Sequence, residues 1–227
     1  MTLPPVALVH GFAGSTRRTW QDAGWLDLLA DSGREVVGID LPGHGTADKS
    51  HDPASYRDAE QVVAAQLPRP VCDAIGFSAG ARLLLVIAAD DPGRFRRLVV
   101  AGVGANLFRD DPSELLAQAL SEASAGDPAD PVARYFRSMA SADDSDPRAL
   151  AAWLRRPAPP LDREGLSRIT TPVLVVLGDL DFAGPADPLV EALPNAQLCV
   201  LRGVDHFSTP KHFEFIDAAL DFLGAED

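Results

Sequence analysis

Six short runs of Val, Ile and Leu constrain the fold of this 227-residue chain more than any other feature of the sequence. In most of these runs the apolar residues do not alternate with polar ones. A strand with one face in water alternates, whereas a strand of a parallel sheet that helices cover on both faces is apolar throughout. The pattern therefore predicts an α/β fold with a mostly parallel sheet of about six strands. The predicted strands cover residues 6–10, 35–40, 71–77, 97–103, 172–177 and 197–201.

Segments with the apolar spacing of helices lie between these runs, as expected for a sheet with helices on both faces. Residues 79–89 are apolar almost all round and stop at Asp91-Pro92-Gly93, which predicts the most buried helix of the molecule. Two further helices are predicted, one with Trp25, Leu28 and Leu29 on its apolar face and one that starts near residues 209–210 and carries Phe213, Ile216 and Leu220.

The alternation of strand and helix breaks between about residues 106 and 168, where no strand candidate occurs. Three Asp-Pro pairs in this segment each precede apolar residues at helical spacing, and Asp as N-cap followed by Pro at the first helical position explains each start. We predict a small helical cap inserted into a single domain that spans residues 1–227. The pairs are Asp111-Pro112, Asp130-Pro131 and Asp146-Pro147, and the stripes are Leu115, Leu116, Ala119 and Leu120; Val132, Tyr135, Phe136 and Met139; and Leu150, Trp153 and Leu154.

The charge balance excludes some partners. The formal net charge of −13 repels nucleic acid phosphates and anionic membrane surfaces. No basic and apolar leader precedes the first strand, and no segment approaches the ~20 apolar residues that span a bilayer. We therefore expect a cytoplasmic protein that binds neither nucleic acid nor membrane; its oligomeric state cannot be deduced. The two cysteines, Cys72 and Cys199, lie in apolar runs and are predicted to be buried thiols.

The clearest chemical motif is Gly76-Phe77-Ser78-Ala79-Gly80, which joins a predicted strand to the apolar helix. A serine on such a sharp turn has a strained backbone, and the turn is tolerated only where the residues two before and two after lack bulk. The motif predicts Ser78 as a nucleophile whose hydroxyl projects from the sheet edge.

A serine nucleophile needs a base within hydrogen-bonding reach. Of the five histidines, His206 follows the last predicted strand, at the carboxyl end of the sheet, where open α/β sheets bind their ligands. We predict His206 as the general base. Its imidazole needs an acidic partner, and the segment after the fifth strand offers Asp179 and Asp181; chain order alone does not choose between them.

Acyl transfer also needs hydrogen-bond donors for the oxyanion. The natural pair is the backbone amide of Ala79, next to the nucleophile, and that of Phe12 in the glycine-rich turn after the first strand. These two amides are the predicted oxyanion hole.

These motifs, in this order, resemble the α/β-hydrolase superfamily over essentially the whole chain. The resemblance implies a three-layer sheet fold with a helical cap, and it favours Asp181 because the family's acid is typically three residues after the glycine at position 178. The family usually begins with two further strands, so a trimmed, six-stranded sheet is expected here. The motifs are His10-Gly11-Phe12, Asp40-Leu41-Pro42-Gly43-His44-Gly45, the turn around Ser78, Gly178-x-x-Asp181 and Asp205-His206.

Within the superfamily the chain is similar to the lyases of menaquinone biosynthesis that eliminate pyruvate from a dicarboxylate. Arg82 matches the arginine which that family uses for a substrate carboxylate, although Phe77 replaces the tyrosine usually found before the nucleophile. A surface position on the second helical turn explains Arg82 equally well.

Three functions remain open on this evidence. The first is a serine hydrolase of a small carboxylic ester or related acyl compound. The second is a lyase or carbon–carbon bond hydrolase acting on a carboxylate-bearing substrate, and the third is a non-catalytic protein of the same fold that binds a small ligand. The cap is expected to present Tyr135, Phe136, Met139 and Trp153 to the small-molecule substrate. No residue set has metal-ligand spacing, and no cofactor is expected.

Overall fold

The computed structural model describes residues 3–109, 113–121 and 131–224. The described chain contains a six-stranded sheet in which every neighbouring pair is parallel, in the order β2-β1-β3-β4-β5-β6. This confirms the predicted fold class and strand number. The strands are β1 (Val6–Val9), β2 (Val36–Ile39), β3 (Cys72–Phe77), β4 (Phe95–Ala101), β5 (Val173–Gly178) and β6 (Ala196–Leu201).

The strand bounds differ most from prediction at β4. This strand begins at Phe95, which pairs with Cys72 of β3, two residues before the predicted start. It ends at Ala101 instead of Val103 because Gly102 has a φ of 68°, which an extended strand cannot continue.

Helices cover both faces of the sheet and form a three-layer molecule. On one face, α2, α3, α7 and α8 bury their apolar residues in the larger core cluster. On the other, α1 and α9 bury Trp25, Leu29, Phe215 and Phe222 against Val6, Leu8 and Ile75. The helices are α1 (Trp25–Asp31), α2 (Ala59–Gln66), α3 (Ala79–Asp90), α4 (Ser113–Ser121), α5 (Pro131–Ala140), α6 (Pro147–Leu154), α7 (Arg163–Ser167), α8 (Asp187–Ala192) and α9 (Phe213–Gly224).

The helix prediction holds for α3 and needs correction for α1 and α9. Nine of the twelve residues of α3 are buried, as its all-round apolar sequence indicates. The last helix begins at Phe213, because Thr209–Lys211 form a separate 3₁₀ turn. Leu28 and Phe213 are 40% and 65% exposed, so neither belongs to the buried face that was expected of it.

Between β4 and β5, where no strand was expected, the described residues form a 3₁₀ turn (Ala105–Phe108) and the four helices α4 to α7. Asp146 caps α6 as predicted, because its carboxylate accepts the amides of Arg148 and Ala149. The Asp111-Pro112 pair and Asp130 lie outside the described residues. The stripe expected on α4 is right at Leu120, which is buried, and wrong at Leu115, which is 72% exposed, because the buried face of the helix carries Ala117 and Leu120. That this segment forms the cap of one domain stays a prediction.

The two cysteines differ in how far they are buried. Cys72 is buried in β3 and is a free thiol, as predicted. Cys199 is also free but only partly buried, because β6 is an edge strand with incomplete cover.

In the described parts of the chain no helix has the length and apolarity to cross a membrane.

Candidate active site

Ser78 lies on the sharp turn between β3 and α3, in the strained backbone conformation expected for it. Its φ of 53° and ψ of −114° lie outside the usual regions for a residue with a side chain. A Cβ at position 76 would lie 2.7 Å from the Cα of Ala81, and one at position 80 would collide with the carbonyls of Val9 and His10. Only glycine at both positions permits the close contact of β3, α3 and β1 that holds this turn.

His206 lies in the loop after β6, and its two ring nitrogens face different partners. Nε2 is 3.0 Å from the Oγ of Ser78, and Nδ1 is 2.9 Å from each carboxylate oxygen of Asp181. The carboxylate accepts the Nδ1 proton, which leaves the lone pair of Nε2 directed at the serine hydroxyl. His206 is 2% and Asp181 7% exposed, so water screens this chain of hydrogen bonds weakly.

The structure separates the two carboxylates that follow β5. Asp181 lies in the turn after the strand, where the Ala183 amide donates to Oδ1 and leaves both oxygens within reach of His206. Asp179 is exposed, and its Oδ1 accepts the amide of Gly203 instead. The structure thus brings Ser78, His206 and Asp181 together and places Asp179 elsewhere.

Three phenylalanine rings surround the His206 imidazole. Ring-centroid distances are 4.9 Å to Phe77, 4.3 Å to Phe182 and 5.6 Å to Phe207. The sequence analysis missed Phe182 and Phe207 as site residues. Each directly follows Asp181 or His206 in the chain, and this adjacency is the signal that could have identified them.

The turn after β1 is fixed by the buried side chain of His10. The carbonyl of Gly11 accepts both the Nδ1 proton of His10, at 2.7 Å, and the amide of Gly14, at 3.0 Å. Nε2 of the same ring accepts the amide of Leu41, so the ring is neutral and bonded at both nitrogens. Burial lowers the pKa of His10, consistent with this neutral form.

The two predicted oxyanion donors flank this turn and the serine. Phe12 borders the space around Ser78 on both sides, and Ala79 borders it on one. Within the described residues neither the Phe12 amide nor the Ala79 amide donates to a protein acceptor. Both amides are therefore available to a ligand, and their role as an oxyanion hole stays a prediction.

Two cavities meet at Ser78, and we call them cavity A and cavity B. Cavity A has a volume of about 300 Å³, and cavity B has about 520 Å³. Both are bordered by Phe12, Ser78 and Phe136. Cavity A is otherwise lined by Gly11, Gly14, Arg18, Thr19, Asp22, Phe77, Tyr135, Met139, His206, Phe207, Pro210 and Lys211. Cavity B is lined by Ala79, Arg82, Val103, Asn106, Leu107, Arg109, Ser113, Leu116, Trp153, Leu154, Arg156, Ala158 and Phe182.

Each of the four expected cap residues borders at least one of these cavities. Tyr135 and Met139 line cavity A, Trp153 lines cavity B, and Phe136 lines both. Trp153 is only 4% exposed, because it packs against Phe12 at a ring-centroid distance of 5.7 Å. It thus serves the packing of the cap as well as the cavity wall.

Arg82 also borders cavity B, but its guanidinium is not free. Its Nη2 donates to the carbonyl of Pro159 at 2.7 Å, in the chain that follows α6. The contact ties α3 to the segment above it. A carboxylate-binding role for Arg82 stays a prediction.

Two further groups beside the site, the buried His44 and the partly buried Asp40, have displaced pKa values. Burial, together with the neighbouring His10, lowers the pKa of His44 well below its ordinary value. Burial alone would raise the pKa of the Asp40 carboxyl, but the amides of Thr16 and Thr46 donate to it and bring the pKa down to about 2. In the part of the chain that the structure describes, no three His, Cys, Asp or Glu side chains form a group that could hold a metal ion.

Comparison with known proteins gives one family and several relatives. The model of a family described as "Alpha/beta hydrolase family" matches residues 6–218. A pimeloyl-[acyl-carrier protein] methyl ester esterase of Neisseria meningitidis is 28% identical, over 95% of this chain and 78% of the relative. A putative protein-lysine deacylase of Rattus norvegicus, ABHD14B, is 27% identical, over 96% of this chain and 82% of the relative.

Solved structures show the same fold. MenH from S. aureus superposes with a TM-score of 0.77 at 22% identity, covering 98% of this chain and 94% of that one. A carboxylesterase of the thaumarchaeon Nitrososphaera gargenis superposes with a TM-score of 0.75 at 22% identity, covering 97% and 90% of the two chains.

Proposed function

Because the chain belongs to the alpha/beta hydrolase family and is an enzyme of that class, we propose that it is a serine hydrolase that cleaves a small carboxylic ester or related acyl compound. Ser78 is the nucleophile, His206 the general base and acid, and Asp181 the residue that orients His206. The observation that carries the proposal is the continuous chain of hydrogen bonds from Ser78 Oγ through both ring nitrogens of His206 to Asp181.

The geometry supports a two-step reaction. His206 Nε2 takes the hydroxyl proton while Oγ of Ser78 attacks the carbonyl carbon, and the negative charge moves to the carbonyl oxygen. The amides of Phe12 and Ala79 stabilise that oxygen. The imidazolium then gives its proton to the leaving oxygen as the carbon–oxygen bond breaks. In the second step water, deprotonated by the same imidazole, releases the acid and restores the serine.

The relatives support ester or amide chemistry without specifying the substrate. One is named a pimeloyl-[acyl-carrier protein] methyl ester esterase and another a putative protein-lysine deacylase. A serine, a histidine and an oxyanion hole can cleave esters and amides through an acyl-enzyme. The substrate we propose is a small molecule; the net charge of −13 is unfavourable for nucleic acid.

The lyase or carbon–carbon hydrolase alternative has one observation in its favour. Arg82 borders cavity B next to Ala79, where a guanidinium could contact a carboxylate. Its hydrogen bond to the Pro159 carbonyl gives it a structural function as well. We therefore prefer the esterase.

The test is hydrolysis of a short p-nitrophenyl ester by the wild type and by Ser78→Ala. We expect the substitution to lower kcat by a factor of about 10⁴ or more, because no other group can form the acyl-enzyme. Ser167→Ala is a matched control, since Ser167 is exposed on α7 and its hydroxyl donates to the Glu164 carbonyl of the same helix. An unaltered rate in Ser78→Ala would contradict the proposal.

A further inference from the structure

We propose that the two cavities at Ser78 have different functions: cavity A takes the leaving group of the substrate and cavity B takes its acyl group. This assignment rests on the proposed function. It defines a substrate class, namely esters that join a larger, apolar acyl group to a smaller alcohol.

The first argument comes from the proton that the leaving group needs. In the tetrahedral intermediate the carbonyl carbon carries the Ser78 oxygen, the oxyanion, the leaving oxygen and the acyl carbon. Collapse breaks the bond to the leaving oxygen, whose electron pair takes the proton from Nε2 of the imidazolium, while the bond to Ser78 remains. The leaving oxygen must therefore lie on the side from which the imidazole can be reached.

Only one cavity has access to that imidazole. His206 lines cavity A together with Phe77 and Phe207, and it does not line cavity B. Phe182 stands on the cavity B side, with its ring centroid 4.3 Å from that of His206. Phe182 thus screens the imidazole from cavity B, and the protonated leaving group departs through cavity A.

A wall of two rings separates the cavities. Phe12, from the turn after β1, and Phe136, from α5, pack edge to face with ring centroids 5.4 Å apart. Both rings border both cavities, and Ser78 lies where the cavities join. A substrate that bridges Ser78 must therefore place its two halves on opposite sides of this wall.

The residues that line each cavity indicate which half of the substrate is apolar. Cavity B is the larger one, and Val103, Leu107, Leu116, Trp153 and Leu154 contribute apolar surface to it. Its three arginines are held by protein groups: Arg82 donates to the carbonyl of Pro159 and Arg109 to those of Phe182 and Gly184. Arg156 donates to the Trp153 carbonyl and lies 3.8 Å from a carboxylate oxygen of Glu60. An apolar acyl chain fits this lining because burying apolar surface drives its binding.

Cavity A is smaller and more polar. Thr19, Asp22 and the exposed Lys211 border it beside the aromatic rings of Tyr135 and Phe207. Such a lining suits a short alcohol, whose hydroxyl leaves toward polar groups and water.

The assignment is tested with two cap variants that fill one cavity each. Leu154→Trp adds bulk to cavity B, and Met139→Trp adds bulk to cavity A; both native side chains are apolar and partly buried on cap helices. Leu115→Trp is the matched control, because Leu115 is 72% exposed on α4 and borders neither cavity. Each variant is assayed with two ester series, p-nitrophenyl esters from acetyl to octanoyl and acetate esters from methyl to hexyl.

We expect Leu154→Trp to lower the octanoyl-to-acetyl ratio of kcat/KM by at least about tenfold, since that much discrimination follows from a few methylene groups in an apolar pocket. Its hexyl-to-methyl ratio should stay at the wild-type value. Met139→Trp should show the opposite pattern, and Leu115→Trp should change neither ratio. Exchanged patterns, or equal effects of both variants on both series, would overturn the assignment.

A structure of the wild type after reaction with an octylphosphonofluoridate provides a second test that does not depend on the folding of a variant. The octyl chain of the Ser78 adduct should lie in cavity B, between Leu107 and Leu154, and a chain in cavity A would overturn the proposal. Failure of the proposed function has a different signature: the wild type would turn over no ester of either series, and no adduct would form.

Discussion

At the scale of single residues, the two carboxylates after β5 show most clearly how the position of a side chain determines its function. Asp181 and Asp179 are two positions apart, yet only Asp181 contacts His206. A carboxylate at this position holds the proton on Nδ1 and stabilises the imidazolium that forms during attack. An amide cannot do so, because its NH₂ group would donate to Nδ1 and move the proton to Nε2.

We therefore predict that Asp181→Asn lowers kcat by about 10³- to 10⁴-fold through the wrong histidine tautomer. Asp179→Asn should leave kcat near the wild-type value, because an asparagine oxygen can accept the same hydrogen bond from Gly203. Steady-state kinetics on one ester compares the pair. Equal losses in both variants would show that the contact with His206 is not the reason for the effect.

The sequence could predict most of these site residues but not this choice. Motif context indicates Ser78 and His206, because each follows a strand at the carboxyl end of the sheet, where parallel strands bring their loops together. Chain order does not decide which of Asp179 and Asp181 is the acidic partner of His206, and the family resemblance alone favoured Asp181. The direction of a side chain in a tight turn depends on local backbone angles, which residue types do not specify.

At the scale of elements, Arg18 joins the turn after β1 to the loop between α5 and α6. Its guanidinium lies 3.2 Å from a carboxylate oxygen of Asp144 and donates to Ser145 Oγ and to the carbonyls of Met139 and Ala13. The loop between α5 and α6 is thereby fixed to the core. Arg17 next to it is 64% exposed at its side chain and reaches Asp144 only at 4.0 Å.

We predict that Arg18→Leu raises KM severalfold, because Arg18 borders cavity A and because α5, which borders both cavities, loses the hydrogen bond from Arg18 to the Met139 carbonyl. Amide hydrogen exchange in residues 141–146 should become faster at the same time. Arg17→Leu should change neither quantity, since exposed ion pairs contribute little. Faster exchange in both variants, or in neither, would contradict this function of Arg18.

Element bounds could be predicted less well than element types. The stripe on α4 was expected at Leu115, Leu116, Ala119 and Leu120, but of these only Leu120 is fully buried. A helix at the surface buries whichever face meets its neighbours, and that face also carries Ala117. The short helices α2, α7 and α8 were not predicted. They have only five to eight residues, and packing against the rest of the molecule stabilises such helices more than their own sequence does.

At the scale of the whole molecule, buried neutral histidines couple stability to pH. Burial lowers the pKa values of His10 and His44 in the folded protein, while the unfolded chain has the ordinary value of 6.5. As pH falls below 6.5, the unfolded chain takes up protons that the folded protein does not. The free energy of unfolding therefore decreases on acidification, with a slope of up to about 1.4 kcal/mol per pH unit for each group.

We predict that the wild type loses more unfolding free energy between about pH 7.5 and about pH 5.5 than His44→Gln does. Glutamine keeps a donor for the Pro42 carbonyl, which the Nδ1 of His44 contacts at 3.0 Å. Urea unfolding at both pH values measures the difference. The same pH-dependent loss in the variant and the wild type would show that His44 is not the source.

The fold as a whole was the most predictable level. Short runs that are apolar without alternation require cover on both faces, and helices between the runs then leave a parallel sheet as the arrangement that provides this cover. The two cavities and the rings that divide them were not predictable, because they depend on how the cap packs over Phe12. Four cap residues were expected to meet substrate, but the sequence could not assign them to different cavities.

The central claim is that Ser78 is a nucleophile activated by His206, and covalent labelling tests it most directly. A fluorophosphonate is mixed with the wild type and with His206→Gln, and the modified residue is identified by mass spectrometry of peptides. We expect one adduct, on Ser78, that forms fast in the wild type and more slowly by at least about 10³-fold in His206→Gln. Absence of an adduct on Ser78, or equal labelling rates in the two proteins, would contradict the account.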